Sequence, residues 1–536
     1  MKNIIKYTLA AVAAISLSNC TGDFEEINTN RYGYSDEELT QQNNHIGSGF
    51  STMFDNIIRT NPGWNYQLQQ NLNADIFSGY MASPTPFAGN INNQTYSLVD
   101  GWNGFIWNDA YDGNDGNGVI PFGQRINDIV EASGNANSML FIYLANTIKV
   151  MGMHRVSDIF GPIRYSKYGD YETTGEYDSQ EVAYKTFFKE LDEAVDGLEA
   201  FEGNLQFVPF DKSNFSKAEV GKANIARWRG FANALRLRLA IRVSKVDPVL
   251  AKTEGEKSLS SNAGFLENGD MRVGMNGFSH PLMEISNGWG DIAMSAEMES
   301  ILKGFNDPRI SSYFSAPADV TLGNFKGVRQ GIKIDAKSEY GSHSLLGPFI
   351  AEPTKIWMTQ AEVHFLKAEA ALRGWAGAGD AKANYEAGVR AAFNLASASN
   401  VDAYLADTTS TPADYVDANN PANNYAYPSD VKIAYNAAGT LEEQLEQIIT
   451  QKWIAMFPDG QEAWSEFRRT GYPRKFPVVV NNSGGTIDTD IQIRRINFVQ
   501  AEKDVNGANV DIAVGYLKGP DTGGTRLWWD TGLPNF

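Results

Sequence analysis

The chain has 536 residues, 45 of them basic and 64 acidic, for a formal net charge of −19. A surface this negative repels phosphate backbones, so nucleic acid is not an expected partner. The length allows a large buried core, and a single cysteine leaves no disulfide within the chain to stabilise it.

The first 19 residues have the pattern of a lipoprotein signal peptide. Lys2 and Lys6 give a basic start, and the apolar run over residues 7–17 is too short to span a bilayer. Cys20, the single cysteine, stands where the bacterial lipobox places its acylated residue, although Asn19 departs from the usual Gly or Ala. We therefore predict a signal peptide over residues 1–19 and lipidation of Cys20, with acyl chains such as palmitate anchoring the protein to a membrane.

We predict that residues 20–44 hold the lipidated cysteine and an acidic, polar linker, and that residues 45–536 form the folded domain. Asp23, Glu25 and Glu26 follow the cysteine closely, and a polar stretch comes next. A solvated linker is one interpretation. The acidic cluster also resembles the surface-export signal of Bacteroidetes lipoproteins, which predicts an outer-membrane protein facing the cell exterior.

Amphipathic patterns predict a mainly α-helical fold. Apolar residues recur three or four apart over residues 138–153, 181–199, 222–245, 354–373, 381–398 and 441–457. The short Gly-rich turn after residue 373 makes its two flanking helices an antiparallel hairpin. The sequence therefore predicts a tetratricopeptide-like helical-repeat scaffold, although no full consensus recurs at a fixed period.

Arginines are concentrated in the segment 222–245. They flank its apolar line at Arg227, Arg229, Arg236, Arg238 and Arg242. In so acidic a chain we expect them to pair with carboxylates inside the scaffold. Anion binding by this segment is the functional alternative.

Long segments with little periodicity separate the helices. They cover residues 61–117, 258–290 and 400–428 and are rich in Gly, Asn, Tyr and Trp. Loops of this length are usually functional or disordered, and their aromatic content argues against disorder. We expect these loops to carry the functional residues.

Motifs of nucleophilic or metal-dependent catalysis are missing from the sequence. It has no HExxH, no GxSxG and no Walker phosphate loop, and its five histidines are scattered. We predict no catalytic residue, no metal site and no cofactor. A glycosidase stays an alternative because two carboxylates about 5 to 10 Å apart suffice. A calcium loop over residues 109–118 fails the ligand register, so an Asn/Gly turn is favoured there.

Aromatic and amide side chains are densest over residues 64–111. Flat rings contact the C–H faces of sugars, and amides both donate to and accept from sugar hydroxyls. The alternative is that these rings anchor the core and its loops. The candidate ligand-binding residues are Trp64, Tyr66, Asn73, Asp75, Tyr80, Trp102, Trp107 and, in a Gly-Trp-Gly turn, Trp289.

Several motifs in order along the chain resemble the SusD/RagB family of Bacteroidetes outer-membrane nutrient-binding lipoproteins. They are QNLNAD at 70–75, SDIFGP at 157–162, RWRGFANALRLR at 227–238, NDPR at 306–309, QKWIAMF at 451–457 and RRTGYP at 468–473. The resemblance implies tetratricopeptide-like helix pairs, with irregular loops that carry the ligand site.

The resemblance also implies a function and a partner. A protein of this family captures glycans at the cell surface, without cleaving them, for nutrient uptake. It passes them to a SusC-like TonB-dependent outer-membrane barrel, over which it sits as a lid. The alternatives are a structural lid or gating subunit that binds peptide or glycopeptide, and a glycosidase.

Overall fold

The computed structural model describes residues 43–111, 118–169, 175–201, 207–215 and 222–536. The predicted signal peptide, Cys20 and nearly all of the predicted linker lie outside these ranges. So do residues 112–117 of the calcium alternative. Residues Gly49–Phe536 form one compact unit.

Helices dominate the described residues. They are α1 (Asn44–Ile57), α2 (Gly63–Tyr66), α3 (Asp100–Tyr111), α4 (Val119–Ser133), α5 (Met139–Phe160), α6 (Gln180–Ala200), α7 (Lys222–Arg242), α8 (Pro248–Leu259), α9 (Ala296–Gly304), α10 (Ile310–Tyr313), α11 (Gln360–Leu372), α12 (Ala381–Leu395), α13 (Val401–Leu405), α14 (Leu441–Ala455), α15 (Gly460–Thr470) and α16 (Gln500–Tyr516). Two π-helical segments span Gln67–Asp75 and Met283–Gly288. The predicted mainly α-helical fold is confirmed.

Consecutive long helices pack on one another. Contacts join α4 to α5, α5 to α6, α6 to α7 and α7 to α8, and α11 packs on α12, with α14 against both. Side-chain caps fix several starts, because Ser179 and Asp380 accept bonds from backbone N–H groups in the first turns of α6 and α12. This succession of antiparallel neighbours is the predicted tetratricopeptide-like arrangement.

The close approach of α11 and α12 depends on Gly388. A Cβ atom added at Gly388 would lie 2.8 Å from Cζ of Phe365, whose side chain is fully buried. We expect Gly388→Ala to lower the free energy of unfolding by about 1–3 kcal/mol through overpacking. Denaturant unfolding of the purified protein measures this change.

Gly515 provides the matched control, because a Cβ there meets nothing within 4 Å on α16. Gly515→Ala should leave stability unchanged or raise it by up to about 1 kcal/mol, as alanine favours helix. Equal stability of Gly388→Ala and the wild type would show that the helix pair can separate without cost.

The predicted helix over residues 354–373 is wrong in its first five residues. Thr354–Met358 is strand β4, which pairs antiparallel with β2 (Met271–Gly274), and α11 begins only after the N-cap Thr359. Alternate residues Lys355 and Trp357 point inward and are fully buried. The β-branched Thr354 and Ile356 suit a strand, so tertiary pairing overrides the helical spacing there.

The segment predicted as one long loop, residues 61–117, also differs from expectation. It contains α2, the first π-helix and α3, together with β1 (Met81–Ala82), which pairs antiparallel with β3 (Ala293–Met294). Side-chain amides explain part of the reason why this segment has regular structure without an apolar pattern. Asn73 donates to the Leu68 and Gln69 carbonyls, which stabilises local backbone in place of apolar periodicity.

Four of the five arginines named in α7 pair with carboxylates, as predicted. Arg229 pairs with Glu199, Arg236 with Asp192 and Glu254, Arg238 with Glu362, and Arg242 with Asp158, Glu462 and Glu466. Arg227 lies over the ring of Phe215 at 4.3 Å. Guanidinium groups thus join α7 to neighbouring helices across the core.

Candidate functional site

Three of the predicted tryptophans reach the surface. Trp64 lies in the short helix α2 with 48% of its area exposed, and Trp289 follows the second π-helix with 37% exposed. Trp102 on α3 is partly exposed. Exposed indole rings of this size offer flat apolar faces to a ligand.

Phenylalanines pack against two of these tryptophans, Trp64 and Trp102. Phe105 packs edge-on against Trp64 with ring centroids 5.5 Å apart, and Phe87 packs edge-on against Trp102 at 5.7 Å. Trp102 and Phe105 are three residues apart on α3, so they share one helix face. We call Trp64, Phe87, Trp102, Phe105 and Trp289 the aromatic surface.

Asp291 holds the segments of the aromatic surface together. It accepts hydrogen bonds from Gln67 Nε2 at 3.2 Å, Thr85 Oγ1 at 2.6 Å and Lys337 Nζ at 2.7 Å. Lys337 Nζ also donates to the Trp289 carbonyl at 2.6 Å. One carboxylate thus ties the chain beside Trp64, Phe87 and Trp289, which limits ring motion before a ligand arrives.

The sequence-based list omits Phe87, Phe105 and Asp291. Phe105 could have been found from its helical spacing to Trp102, and Phe87 belongs to the same aromatic-rich stretch. Asp291 has no comparable signal, since two of its three partners are more than 200 residues away in sequence.

The other five candidates lie in the interior, namely Tyr66, Asn73, Asp75, Tyr80 and Trp107. The Tyr80 hydroxyl donates to the Trp453 carbonyl. Trp107 packs against Tyr111 with ring centroids 4.3 Å apart. Protein atoms cover these five side chains, so their surroundings are those of the core interpretation.

Tyr66 and Asp75 line a small, partly open cavity with Arg155, His280 and Lys355. Its volume of about 40 Å³ accommodates a few water molecules and no sugar ring. Burial raises the pKa of Asp75 to about 7 and lowers the pKa of His280 to about 4 and of Lys355 to about 8. These shifts follow from desolvation inside the scaffold, so they do not mark an acid–base centre at the aromatic surface.

Among the residues that the structure describes, no group of three or more His, Cys, Asp or Glu side chains is placed to hold a metal ion. Asp109, at the start of the calcium alternative, is buried and pairs with Arg59 at 2.8 Å. Its other oxygen accepts from Gln69 Nε2 at 2.8 Å. Both carboxylate oxygens are therefore engaged by protein donors.

Residues 26–530 match a family model described as "Susd and RagB outer membrane lipoprotein". The chain belongs to the SusD/RagB family. The resemblance predicted from the sequence motifs is confirmed, and the family description places its members at the outer membrane. None of the helices described here is long and apolar enough to cross a bilayer.

Solved structures of this family share the whole fold. A structure described as a chitin-binding SusD homolog from Flavobacterium johnsoniae is 46% identical, with a TM-score of 0.86 over 92% of this chain and 100% of that one. A SusD homolog from Bacteroides vulgatus is 37% identical, with a TM-score of 0.83 over 94% and 100%. A SusD-like protein from Bacteroides thetaiotaomicron is 32% identical, with a TM-score of 0.82 over 90% and 98%. No curated protein sequence matches the chain.

Proposed function

We propose that this SusD/RagB protein binds glycans on the aromatic surface and delivers them, uncleaved, to a SusC-like TonB-dependent barrel. The observation that carries the proposal is the exposure of Trp64 and Trp289 on segments tied together by Asp291. Stacked indoles bind the apolar faces of sugar rings, while nearby polar groups satisfy their hydroxyls.

Oligosaccharides of N-acetylglucosamine are the first ligands to test. The 46% identical relative is described as chitin-binding, and its fold is shared over nearly the full length of both chains. Such ligands are uncharged, so a net charge of −19 does not oppose their approach. Acetamido groups add a donor and an acceptor that amide side chains can meet.

The membrane attachment belongs to the same proposal. Acylation of Cys20 after removal of residues 1–19 would tether the protein to the outer membrane, and the acidic cluster after Cys20 would direct it to the exterior. The barrel partner would then receive ligand from the tethered protein. Mass spectrometry of the amino-terminal peptide tests the lipid, and its absence from Cys20 would exclude this anchor.

Isothermal titration of the purified protein, with product analysis of each mixture, tests the function. The titrants are chitin oligosaccharides and a panel of plant, host and microbial polysaccharides. We expect saturable binding with no new reducing ends, at modest affinity, because a shallow wet surface returns little free energy for a polar ligand. Cleavage products would establish the glycosidase alternative, and no binding across the panel would favour the lid role.

A further inference from the structure

A second cavity, of about 280 Å³, lies where α15 ends. It opens to solvent between the Gly471 turn, the segment around Gln492 and the last residues of the chain. It shares no lining residue with the aromatic surface. Among its lining side chains, Asp490 is the acidic one, and the cationic ones are Lys245, Arg468, Arg469, Arg474, Lys475, Arg494 and Arg526.

Three of these cations have carboxylate partners. Arg469 pairs with Glu369 at 2.6 Å and with Glu466 at 2.7 Å. Arg494 and Arg526 share Asp530, at 2.7 and 2.6 Å. Ion pairs of this kind are part of the scaffold and leave little charge for a ligand.

Lys245 and Arg474 lack such partners. Lys245 Nζ donates to two neutral oxygens, the Arg469 carbonyl at 2.9 Å and Asn535 Oδ1 at 3.3 Å. Arg474 is exposed and lies over the Tyr472 ring at 4.7 Å. In the described ranges no carboxylate comes within 4.0 Å of either cation, so one ammonium proton and a guanidinium remain for an incoming group.

The electrostatic environment also favours an anion. Burial, followed by repulsion from Arg469, lowers the pKa of Lys245 to about 8. Burial likewise lowers the pKa of Arg468 to about 9, although Asp158 and Asp530 oppose the shift. Its guanidinium donates to the carbonyls of Asp158 and Arg494 and, in the described ranges, to no carboxylate. Asp530 acts on Lys245, and Glu446 on Arg474, from beyond 4.0 Å, so positive charge predominates in this cavity although the chain has a net charge of −19.

We propose that this cavity binds a small polyhydroxylated acid, with Lys245 and Arg474 contacting its carboxylate. The volume falls at the lower end of small-molecule sites, about 300 Å³, which suits one monosaccharide-sized ligand. Thr470, Gln492 and Asn535 line the same cavity and offer polar atoms to hydroxyl groups. A sugar acid combines both features. The site does not depend on glycan binding at the aromatic surface.

Calorimetric titration with sodium D-glucuronate and, separately, D-glucose tests the site on the purified protein at low ionic strength. We expect glucuronate to bind and glucose not to bind. The affinity for glucuronate should fall in 0.5 M sodium chloride, because the Debye length there is only about 3–5 Å and the salt screens the charges. Sodium sulfate should compete, because the recognised feature is the anionic group. Equal heats from glucuronate and glucose would overturn the proposal.

Two substitutions assign the contacts. Lys245→Gln and Arg474→Gln should each weaken glucuronate binding about tenfold or more, the value of one hydrogen bond to a charged group. Lys333→Gln is the control, because Lys333 is exposed, pairs only with Asp335 and does not line the cavity. Arg474 is on the surface, so its variant folds even if the Lys245 variant does not. Unchanged affinity in Arg474→Gln would exclude this site.

Discussion

Replacing Arg242 by methionine should lower the free energy of unfolding by about 3–5 kcal/mol, the cost of leaving buried charges unpaired. Arg242 is fully buried and faces three acids. Its Nε lies 3.5 Å from Asp158 Oδ2, its Nη1 lies 3.3 Å from Glu466 Oε1, and its Nη2 donates to Glu462 Oε1. Without the guanidinium, Asp158 and Glu462 lose their nearest cation in a region that water does not reach. Glu466 keeps Arg469 at 2.7 Å and Lys452 at 3.1 Å.

The loss of unfolding free energy in Arg242→Met should become smaller as the pH falls. Burial already raises the pKa of Asp158, and loss of Arg242 raises it further. A folded-state pKa above the unfolded value, near 4, means that the folded state binds more protons. Stability of the variant should therefore rise as pH falls from 8 to 5, and the difference from wild type should shrink. Denaturant titrations at both pH values measure it.

Arg390→Met is the matched control, because Arg390 is exposed on α12 and pairs with the still more exposed Asp402 at 2.6 Å. Exposed pairs contribute about 0–1 kcal/mol, so this variant should differ little from wild type at either pH. Similar losses in both variants would mean that the buried network is not what the arginine stabilises.

The interior charge network was accessible to sequence reasoning because composition constrains it. Arginines that flank the apolar line of α7 lie at the border of the core, where a guanidinium usually pairs with a carboxylate. What the sequence does not indicate is which carboxylate. Glu462 lies 220 residues after Arg242, and no local pattern connects α7 with α15.

The sequence pattern predicted which segments are helical better than it predicted where each helix begins and ends. The helix predicted at 441–457 ends at Ala455, and the one predicted at 138–153 continues to Phe160 before Gly161 ends it. Thr354–Met358 shows the larger error, because the partner strand β2 lies some 80 residues earlier. Long-range pairing is invisible to a local pattern, and it decides such short segments.

Ring exposure was the least predictable feature of the candidate site. Trp102 and Trp107 come from the same aromatic stretch, yet Trp102 is partly exposed and Trp107 is buried against Tyr111 and Phe160. Helix α3 explains the difference, because Trp107 lies on its inner face while Trp102 and Phe105 share an outer one. The sequence analysis treated this segment as a loop, so it could not distinguish an inner from an outer face of α3.

Replacing Trp64 and Trp289 together by alanine should weaken glycan binding about 100-fold or abolish it, if the aromatic surface is the binding site. Truncating a central aromatic anchor costs about 1–2 kcal/mol, and both indoles offer large exposed faces. The single variants should each lose about tenfold. Titration with the tightest-binding oligosaccharide from the panel gives these dissociation constants.

Tyr516→Ala is the matched control, because Tyr516 is also 48% exposed but is the last residue of α16 and does not belong to the aromatic surface. It should bind like wild type, and all four variants should unfold at the same denaturant concentration, since neither indole is part of the core. Full affinity in the double variant would place the ligand elsewhere and leave the two tryptophans as surface residues. A loss shared with Tyr516→Ala would instead show that exposed aromatics contribute without forming a specific site.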